Sequence, residues 1–444
     1  MSKSVDINDE YVTRVEGHGN IVVNIEDGDI EKCQWQVIEA PRFFESMVVD
    51  RSWKELHHVT SRICGICSMA HQFASLKATE NAMDIEISDQ DKLLRRLALH
   101  GETIQSHVLH VGYLALPDLL DAGSVIPLAS SHPEEVKTVI RVHRTGNELS
   151  DTIGGRNTHQ QRLIPGGFSK IPTENELVQL KEKLENSFED LNSIAELIRD
   201  LSPKLANFSR ETEFISLSSE DEYALYDGLM KSTDTGTEKV ENYEEYTNEY
   251  IVPQSSAKYT KNNRESYMVG ALARVNNNYD RLSPKAKEVA EKFDLDPVDH
   301  HPYMNNVAQL VETVHCFEDA IDIIDKLLDR GLQEQGDYHQ PDIEVKAGRG
   351  VGAVEAPRGI LIHDYTYDEN GVCTSANCVI PTNQNHGNIQ KDMEALVPEI
   401  LKIPEGEREL SMKTEIELAL EMLVRAYDPC ISCSTHYLDV EFVE

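Results

Sequence analysis

The stretches Arg62-Ile63-Cys64-Gly65-Ile66-Cys67 and Asp428-Pro429-Cys430-Ile431-Ser432-Cys433 each hold two cysteines separated by two residues. Gly65 allows a tight turn between the first two thiols, and Pro429 fixes the backbone ahead of the second pair. Each stretch therefore presents two sulfur atoms on one side of a short turn. A helix is predicted over 68–83, and its dipole would favour a thiolate at Cys67, beside its N-terminus.

Three kinds of site are compatible with the two cysteine pairs. The first is a structural zinc site, but zinc ribbons separate their pairs by roughly 15–20 residues, and here most of the chain lies between them. The second is a pair of separate disulfide or thioredoxin-like redox sites, although neither pair lies in a βαβ context. The third is one soft-metal site closed by both pairs, which requires the two ends of the chain to meet in the core. Spacing alone ranks this third site level with a long-range zinc site.

Composition limits the class of protein and its partners. The 444 residues include 42 basic and 78 acidic side chains, a net charge of −36, so we expect no nucleic-acid partner. No apolar run is long enough to cross a bilayer, so direct membrane insertion is not expected. The N-terminus lacks the basic start and apolar stretch of a secretory signal, which favours the cytoplasm, although export with a signal-bearing partner stays open. Because half of the eight cysteines form CxxC pairs, metal or redox chemistry is favoured over a disulfide framework.

The pattern of apolar residues predicts a mainly helical α+β fold. One large helical domain carrying small peripheral β-hairpins and sheets is the simplest architecture, and if both cysteine pairs close one site, its N- and C-terminal segments would converge at a central metal site. Hairpins are predicted over 20–38 and 359–381. Residues 219–262 are acidic, rich in tyrosine and poorly periodic, so they are interpreted as an irregular insertion, with a partner interface as one role. Three longer helices are predicted: from the Thr173/Glu176 capping box to Pro203, over 307–328 up to Gly331, and from the Thr414/Glu417 capping box onward.

At the cysteine stretches the sequence resembles the large subunits of nickel–iron hydrogenases. Their hallmark motifs are RxCGxC followed by a histidine, here His71, and DPCxxC followed by a histidine, here His436. The quinone-site subunit of respiratory complex I shares this fold but lacks the four cysteines, which argues against that relationship. Supporting blocks span most of the chain: Arg14–His18, Pro41–Glu45, Ser106–His107, Leu116–Asp118, Gly155–His159, Pro165–Gly167, Glu355–Gly359 and Pro381–Thr382.

The resemblance implies a metal pair at the four cysteines. Cys64 and Cys430 would be terminal nickel ligands, and Cys67 and Cys433 would bridge nickel and iron. The iron would also carry carbon monoxide and cyanide. The implied activity is heterolytic oxidation of dihydrogen and the reverse reduction of protons, with Cys430 as first base.

Several polar residues match functional positions of the family. Glu16 matches the proton-relay glutamate, and its alternative is a cap or an ion pair beside Arg14. Arg358 matches an arginine that lies over the metal pair and could orient cyanide. Asp118 and Asp428 match carboxylates that pair with that arginine. Pro381 and Thr382 match a block in which the threonine hydroxyl donates to a cyanide ligand. A surface ion pair is the alternative role for Arg358 and for each of the two aspartates.

A second metal and a processed tail are also implied. Glu45 and His436 match ligands of a magnesium site, although histidine is a less usual magnesium ligand. Residues 1–436 would form the hydrogenase domain, and 437–444 a short pro-segment that is removed, unless it is kept as a final strand. Three histidines could donate to the thiolates or simply fill core positions: His71, His107 and His159.

Three features indicate the subtype. Pro41–Glu45, the stretch Gly270–Asn277 and the short tail look most similar to the cytosolic NADP-linked type, whose catalytic chain is also called the alpha chain of sulfhydrogenase. That type implies a small subunit with iron–sulfur clusters and diaphorase-type flavin and iron–sulfur subunits, and no GxGxxG fingerprint stands out in this chain. The alternatives are a methanogen-type subunit feeding heterodisulfide reductase, a hydrogen sensor, and a metal-free scaffold, against which the complete ligand set argues.

Overall fold

A computed structural model describes residues 4–205, 207–333, 338, 341–404, 408 and 410–435. About half of these residues are helical and the sheets are small, as the sequence predicts. The α-helices are α1 (Phe44–Val48), α2 (Leu56–Thr60), α3 (Ser68–Met83), α4 (Asp89–Leu109), α5 (Leu116–Leu119), α6 (Val125–Ser131), α7 (Pro133–Gly154), α8 (Glu174–Asn186), α9 (Phe188–Leu201), α10 (Glu244–Thr247), α11 (Ala271–Asn278), α12 (Pro284–Lys292), α13 (Met304–Arg330), α14 (Pro381–Lys402) and α15 (Met412–Ala426). The strands are β1 (Val5–Asp9), β2 (Gly19–Glu26), β3 (Asp29–Val37), β4 (Leu163–Ile164), β5 (Gly167–Phe168), β6 (Glu213–Ser218), β7 (Leu229–Ser232), β8 (Gly236–Glu238), β9 (Tyr267–Met268), β10 (Gly348–Ala356), β11 (Gly359–Tyr367) and β12 (Cys373–Val379).

The first predicted hairpin is confirmed and gains a strand. β2 and β3 pair antiparallel with Ile21 opposite Trp35, and the alternating residues Ile21, Val23 and Ile25 are buried. β1 adds on the outer side of β2 in antiparallel register, which the sequence analysis did not predict. The sheet packs on α14 and α15 near the C-terminus.

The second predicted hairpin is also confirmed. Its two strands are the central strand and one edge strand of a three-stranded sheet. β11 pairs antiparallel with β12 on one side and with β10 on the other. The sequence analysis missed β10 because its alternate glycines, Gly348, Gly350 and Gly352, lack the branched side chains typical of strands. These glycines let the backbone of β10 lie directly on α3: a Cβ added at Gly350 would be 2.1 Å from the carbonyl oxygen of Ala78.

Two of the three predicted long helices need correction. α13 ends at Gly331, at φ 77°, as predicted. The helix that starts at the Thr173/Glu176 capping box is divided at Ser187 into α8 and α9. The Thr414/Glu417 capping box was wrong, because α15 begins earlier and its N-cap is Ser411, whose Oγ accepts from the backbone N–H of Thr414 at 3.2 Å.

The segment 219–262, predicted to be an irregular insertion, also contributes to the core. It contains β7, β8 and α10, and β7 joins a four-stranded sheet of order β8-β7-β6-β9. Five of its six tyrosines are buried: Tyr223, Tyr226, Tyr243, Tyr246 and Tyr259. Their irregular spacing concealed this contribution to the core, because aromatic burial needs no helical or strand periodicity.

The two ends of the chain meet in the core, as the third kind of site requires. Glu16 and Cys430 form an isolated parallel β-bridge, and the backbone N–H of Ile431 donates to the carbonyl of Glu16 at 2.9 Å. One hydrophobic cluster runs from Ile7 to Cys433. Within the described part of the chain, none of the helices has both the length and the apolar character needed to span a membrane.

Candidate metal centre

The N-terminal cysteine pair lies at the start of α3. Cys67 is the residue just before the helix, and its backbone N–H donates to Sγ of Cys64 at 3.0 Å. The first free N–H groups of the helix are taken by a buried carboxylate: Glu102 accepts from Met69 at 2.6 Å and from Ala70 at 2.9 Å. The predicted helix over 68–83 is confirmed, and Cys67 lies at its dipole-positive end.

The C-terminal cysteine pair is held by the first turn of α14. The backbone N–H of Cys430 donates to Oγ1 of Thr382 at 3.1 Å. Asn383 donates to the carbonyl of Ser434 at 3.1 Å, and His386 lies 3.0 Å from the Ser434 hydroxyl. Pro381, the first residue of α14, starts the helix so that these side chains project toward the loop.

The four sulfur atoms form one buried cluster. The Sγ atoms of Cys64, Cys67, Cys430 and Cys433 all lie within 4.8 Å of one another, and each residue is at most 5% exposed. Cys64 and Cys430, from opposite ends of the chain, have their Sγ atoms 3.7 Å apart. Cys430 and Cys433 are in disulfide contact, whereas Cys64 and Cys67 are free thiols. Two separate and distant redox pairs are therefore excluded, and one site shared by both pairs is favoured.

The N-terminal thiols differ in acidity. Burial raises the pKa of Cys64, but a hydrogen bond from Cys67 and the nearby guanidinium of Arg358 outweigh burial and hold that pKa below its usual value. The pKa of Cys67 lies well above its usual value, because Cys67 donates to Cys64 and is itself buried. The prediction that the helix dipole favours a thiolate at Cys67 was therefore wrong: the thiolate is stabilised at Cys64 instead, and thiolates are the form of cysteine that binds metals.

Arg358 lies beside the cluster. One edge of its guanidinium is hydrogen-bonded to Asp428, and the other edge is open. Its Nε donates to the carbonyl of Asp428 at 2.6 Å and its Nη2 to Oδ1 of the same residue at 2.8 Å. Nη1 is buried and has no hydrogen-bond partner among the residues that the structure describes. The Asp428 carboxylate and the cysteines keep the pKa of Arg358 above its usual value despite burial. A buried, charged and unpartnered N–H group calls for an acceptor that the protein itself does not supply.

Glu16 contacts the cluster directly. Its Oε2 lies 3.2 Å from Sγ of Cys430 and accepts the backbone N–H of Ser432 at 3.1 Å, and Oε1 accepts from the Ser432 hydroxyl. Its predicted alternative role, an ion pair beside Arg14, is not what the structure has, because Arg14 binds Asp118 instead. Glu16 is only partly buried, so it lies between the buried Cys430 sulfur and the protein surface.

The pairing of Asp118 with Arg358 was wrong. Asp118 accepts from Arg425 at 2.7 and 3.0 Å and also binds Arg14. The side chain of Arg425 is 1% exposed, so this is a buried ion pair that fastens α15 to the end of α5. Asp428, the other carboxylate predicted for Arg358, does bind it.

The predicted magnesium ligands are described only in part. Glu45 on α1 accepts the backbone N–H of Cys378 at 2.9 Å, and the ammonium of Lys258 lies 4.0 Å from its Oε1. Burial raises the pKa of Glu45. His436 and the tail 437–444 lie outside the described residues.

The three histidines predicted to donate to the thiolates have other identified neighbours. His71 lies 3.2 Å from His363, His107 lies 2.8 Å from Glu312, and His159 lies 3.0 Å from the carbonyl of Ser61. The sequence analysis missed three residues that support the cysteine loops: Glu102, Asn383 and His386. His386 could have been found, because it lies four positions after Thr382 in the same helix, and that spacing places two side chains on one face.

Comparison with known proteins bears on this site. The sequence profile described as nickel-dependent hydrogenase matches residues 42–139 and 204–436, and a profile described as HoxL-like matches residues 6–40. The chain belongs to the nickel-dependent hydrogenase family. It is 34% identical to the alpha chain of sulfhydrogenase 2 of Pyrococcus furiosus over 97% of this chain and 98% of that protein. It is 31% identical to a chain of the F420-non-reducing hydrogenase vhc of Methanococcus voltae, over 97% and 95% respectively.

A solved hydrogenase has the same fold. The crystal structure of an NAD+-reducing nickel–iron hydrogenase in the H2-reduced state matches with a TM-score of 0.86 and 28% identity, over 97% of this chain and 99% of that one. The residues present in this hydrogenase fit a nickel–iron group, because four converging sulfur donors suit soft metals and Nη1 of Arg358 offers a buried donor to a metal-bound anion.

Proposed function

We propose that this large subunit of a nickel–iron hydrogenase oxidises dihydrogen heterolytically, and reduces protons in reverse, at a nickel–iron pair held by its four clustered cysteines. The observation that carries the proposal is the convergence of four buried sulfur atoms within 4.8 Å, contributed by both ends of the chain. When bound, the nickel–iron pair would supply the electrophilic metal that polarises dihydrogen, a very weak acid.

Different residues would hold different parts of the nickel–iron group. Cys64 and Cys430 would be terminal nickel ligands, and Cys67 and Cys433 would bridge to iron, which carries carbon monoxide and cyanide. Thr382 Oγ1 accepts from the Cys430 backbone, so its O–H is left to donate to a cyanide ligand. Nη1 of Arg358 would be a second donor, with the other edge of the guanidinium fixed by Asp428.

Proton transfer begins at Cys430. Its Sγ lies 3.2 Å from Oε2 of Glu16, so a proton held on that sulfur would be within the range for transfer between positioned groups. The carboxylate can accept this proton and release it toward the surface, since Glu16 is only partly buried.

Replacing the Glu16 carboxylate tests this relay. Glu16→Gln keeps an acceptor for the Ser432 backbone but cannot take up a proton at neutral pH. We expect hydrogen–deuterium exchange to fall by about a hundredfold or more, with nickel and iron content unchanged. Glu26→Gln, an exposed change on β2, is the matched control and should exchange at the wild-type rate. Normal exchange in Glu16→Gln would assign the relay to another group.

Electrons are proposed to leave through a small subunit with iron–sulfur clusters, and then through diaphorase-type flavin and iron–sulfur subunits to NAD(P). Two features support this. Among the cysteines outside the cluster, Cys316 is buried in α13 while Cys373 and Cys378 are buried in β12, and one solved relative is described as NAD+-reducing. The methanogen-type alternative is supported by the F420-non-reducing relative. Hydrogen-dependent reduction of NADP, NAD and heterodisulfide by the purified complex separates the two, and full NADP reduction by the isolated chain would contradict the small-subunit proposal.

Three finer assignments complete the proposal. Residues 1–436 form one hydrogenase domain and 437–444 a pro-segment, which mass spectrometry of active protein tests by the mass of the C-terminus. Glu45 and His436 hold magnesium, which metal analysis tests. The enzyme is cytoplasmic, which fractionation of native cells tests.

The experiment that decides the function is metal analysis of the purified complex with infrared spectroscopy. One nickel per chain and absorption bands of carbon monoxide and cyanide are expected. Zinc in place of nickel, or a retained Cys430–Cys433 disulfide in active protein, would refute the proposal.

A further inference from the structure

A second arginine, Arg274, lies close behind the proposed centre and uses every one of its N–H groups. It is in α11 and is fully buried. Nε and Nη2 donate to the two carboxylate oxygens of Glu312, each at 2.6 Å, and Nη1 donates to Glu355 at 2.9 Å. The remaining two N–H groups donate to the carbonyls of Ala356 and Pro357, each at 2.9 Å. The guanidinium has five N–H donors, so Arg274 has none left for any other role.

The two carbonyls that Arg274 binds directly precede Arg358. The backbone leading into Arg358 is therefore fixed by Arg274, while one edge of the Arg358 guanidinium is fixed by Asp428. Gly270, at φ 117°, brings the start of α11 against the same turn: a Cβ there would be 3.3 Å from the carbonyl of Arg358. With both ends of Arg358 held, the direction of its open Nη1 is set by the position of Arg274.

The two glutamates on Arg274 are not equivalent. Glu312 accepts both N–H groups of one guanidinium edge, the Tyr223 hydroxyl at 2.5 Å and the ring of His107 at 2.8 Å. Glu355 accepts a single arginine N–H and one backbone N–H. One buried guanidinium cannot neutralise two buried carboxylates. Burial raises the pKa of Glu355 to about 7, whereas Arg274 holds the pKa of Glu312 far below its usual value despite equal burial.

We propose that Arg274, held in place by Glu312, is a positioning residue that sets the direction of the Arg358 guanidinium toward the metal pair. Glu312 fixes one whole edge of the guanidinium through two N–H groups, while Glu355 holds it through a single N–H group. This inference rests on the proposed function of Arg358. It goes further by assigning distinct roles to Arg274, Glu312 and Glu355.

The test is a matched pair of substitutions in the purified complex, Glu312→Gln and Glu355→Gln. Both remove one buried carboxylate from the same guanidinium, and neither residue is hydrogen-bonded to Arg358. Glu312→Gln is expected to lower kcat for hydrogen oxidation by about tenfold or more with KM for hydrogen unchanged, and to shift the cyanide infrared bands. Glu355→Gln is expected to change kcat and the bands much less than Glu312→Gln does, because Glu355 holds only one N–H group of Arg274 and the amide oxygen can still accept it.

A second substitution keeps the test decisive if Glu312→Gln does not assemble. Arg274→Lys retains the charge but loses the planar fork, and it should reproduce the band shift and the loss of kcat. Equal behaviour of the two glutamine variants, or wild-type bands in Arg274→Lys, would overturn the proposal. Loss of nickel from both Glu312→Gln and Arg274→Lys would also overturn it, because the group would then serve only folding.

Arg358→Lys separates this inference from the proposed function. If Arg358→Lys leaves kcat and the cyanide bands unchanged, the assignment of Arg358 itself is wrong. If Arg358→Lys is impaired while Glu312→Gln and Arg274→Lys are normal, only the positioning role fails.

Discussion

Gly350→Ala tests the contact that joins the two halves of the centre. A Cβ at Gly350 would lie 2.1 Å from the carbonyl oxygen of Ala78 and 2.4 Å from the backbone nitrogen of Ala82, both on α3. Ordinary contacts between such atoms are about 3.5 Å, so α3 and β10 must separate by about 1 Å. Because both neighbours are backbone, no side-chain rotation can relieve the clash. We expect a loss of stability of about 3 kcal/mol, at the upper end for overpacking.

The assay is chemical unfolding of the purified complex, together with nickel content. Cys67 directly precedes α3 and β10 leads to Arg358, so the separation should also lower metal retention. Gly123→Ala is the control: its added Cβ meets nothing within 4 Å, and its stability should change by less than about 0.5 kcal/mol. Wild-type stability in Gly350→Ala would show that the strand and helix are not in direct backbone contact, and the account of this layer would be wrong.

Two further predictions concern buried polar groups. Burial lowers the pKa of His386 from 6.5 to about 3, so the unfolded chain takes up a proton that the folded chain excludes, and stability should fall by about 1.4 kcal/mol per pH unit as pH drops below 6.5. His386→Gln, whose amide can accept from Trp35 and donate to Ser434, should keep stability at pH 7 and lose this acid sensitivity; an unchanged slope in unfolding at pH 7 and pH 5 would contradict the assignment. Asp118→Asn should cost about 3 kcal/mol by leaving Arg425 buried with a weakened partner, yet leave the cyanide infrared bands in place. A shift of those bands would show that Asp118 acts on Arg358 after all.

The cysteine centre could be predicted because its residues carry their own chemistry. Two CxxC stretches in a chain with few other cysteines favour a shared partner, and the structure brings them together. The hairpins over 20–38 and 359–381 were also predictable, because alternation and turn residues are local signals. The start of α3 followed from Gly65 and the helical pattern after Cys67.

What the sequence did not indicate depends on long-range packing. β10 has glycines where a strand usually has branched residues, because α3 occupies the space that side chains would fill. Five of the six tyrosines of 219–262 are buried among residues from distant parts of the chain. Asp118 pairs with Arg425 rather than Arg358 because α15 passes closer to it, and no local pattern encodes which of two arginines is nearer.

The β-bridge between Glu16 and Cys430 has a consequence for biosynthesis. During translation the first two thiols leave the ribosome hundreds of codons before the last two, and only a bidentate half-site exists until then. The set of four thiolates, with the Glu16 carboxylate beside it, forms only when the C-terminal segment folds against the N-terminal segment. The full set of four sulfur donors therefore exists only after nearly the entire polypeptide has been made, and a product truncated before residue 430 would have only two of them.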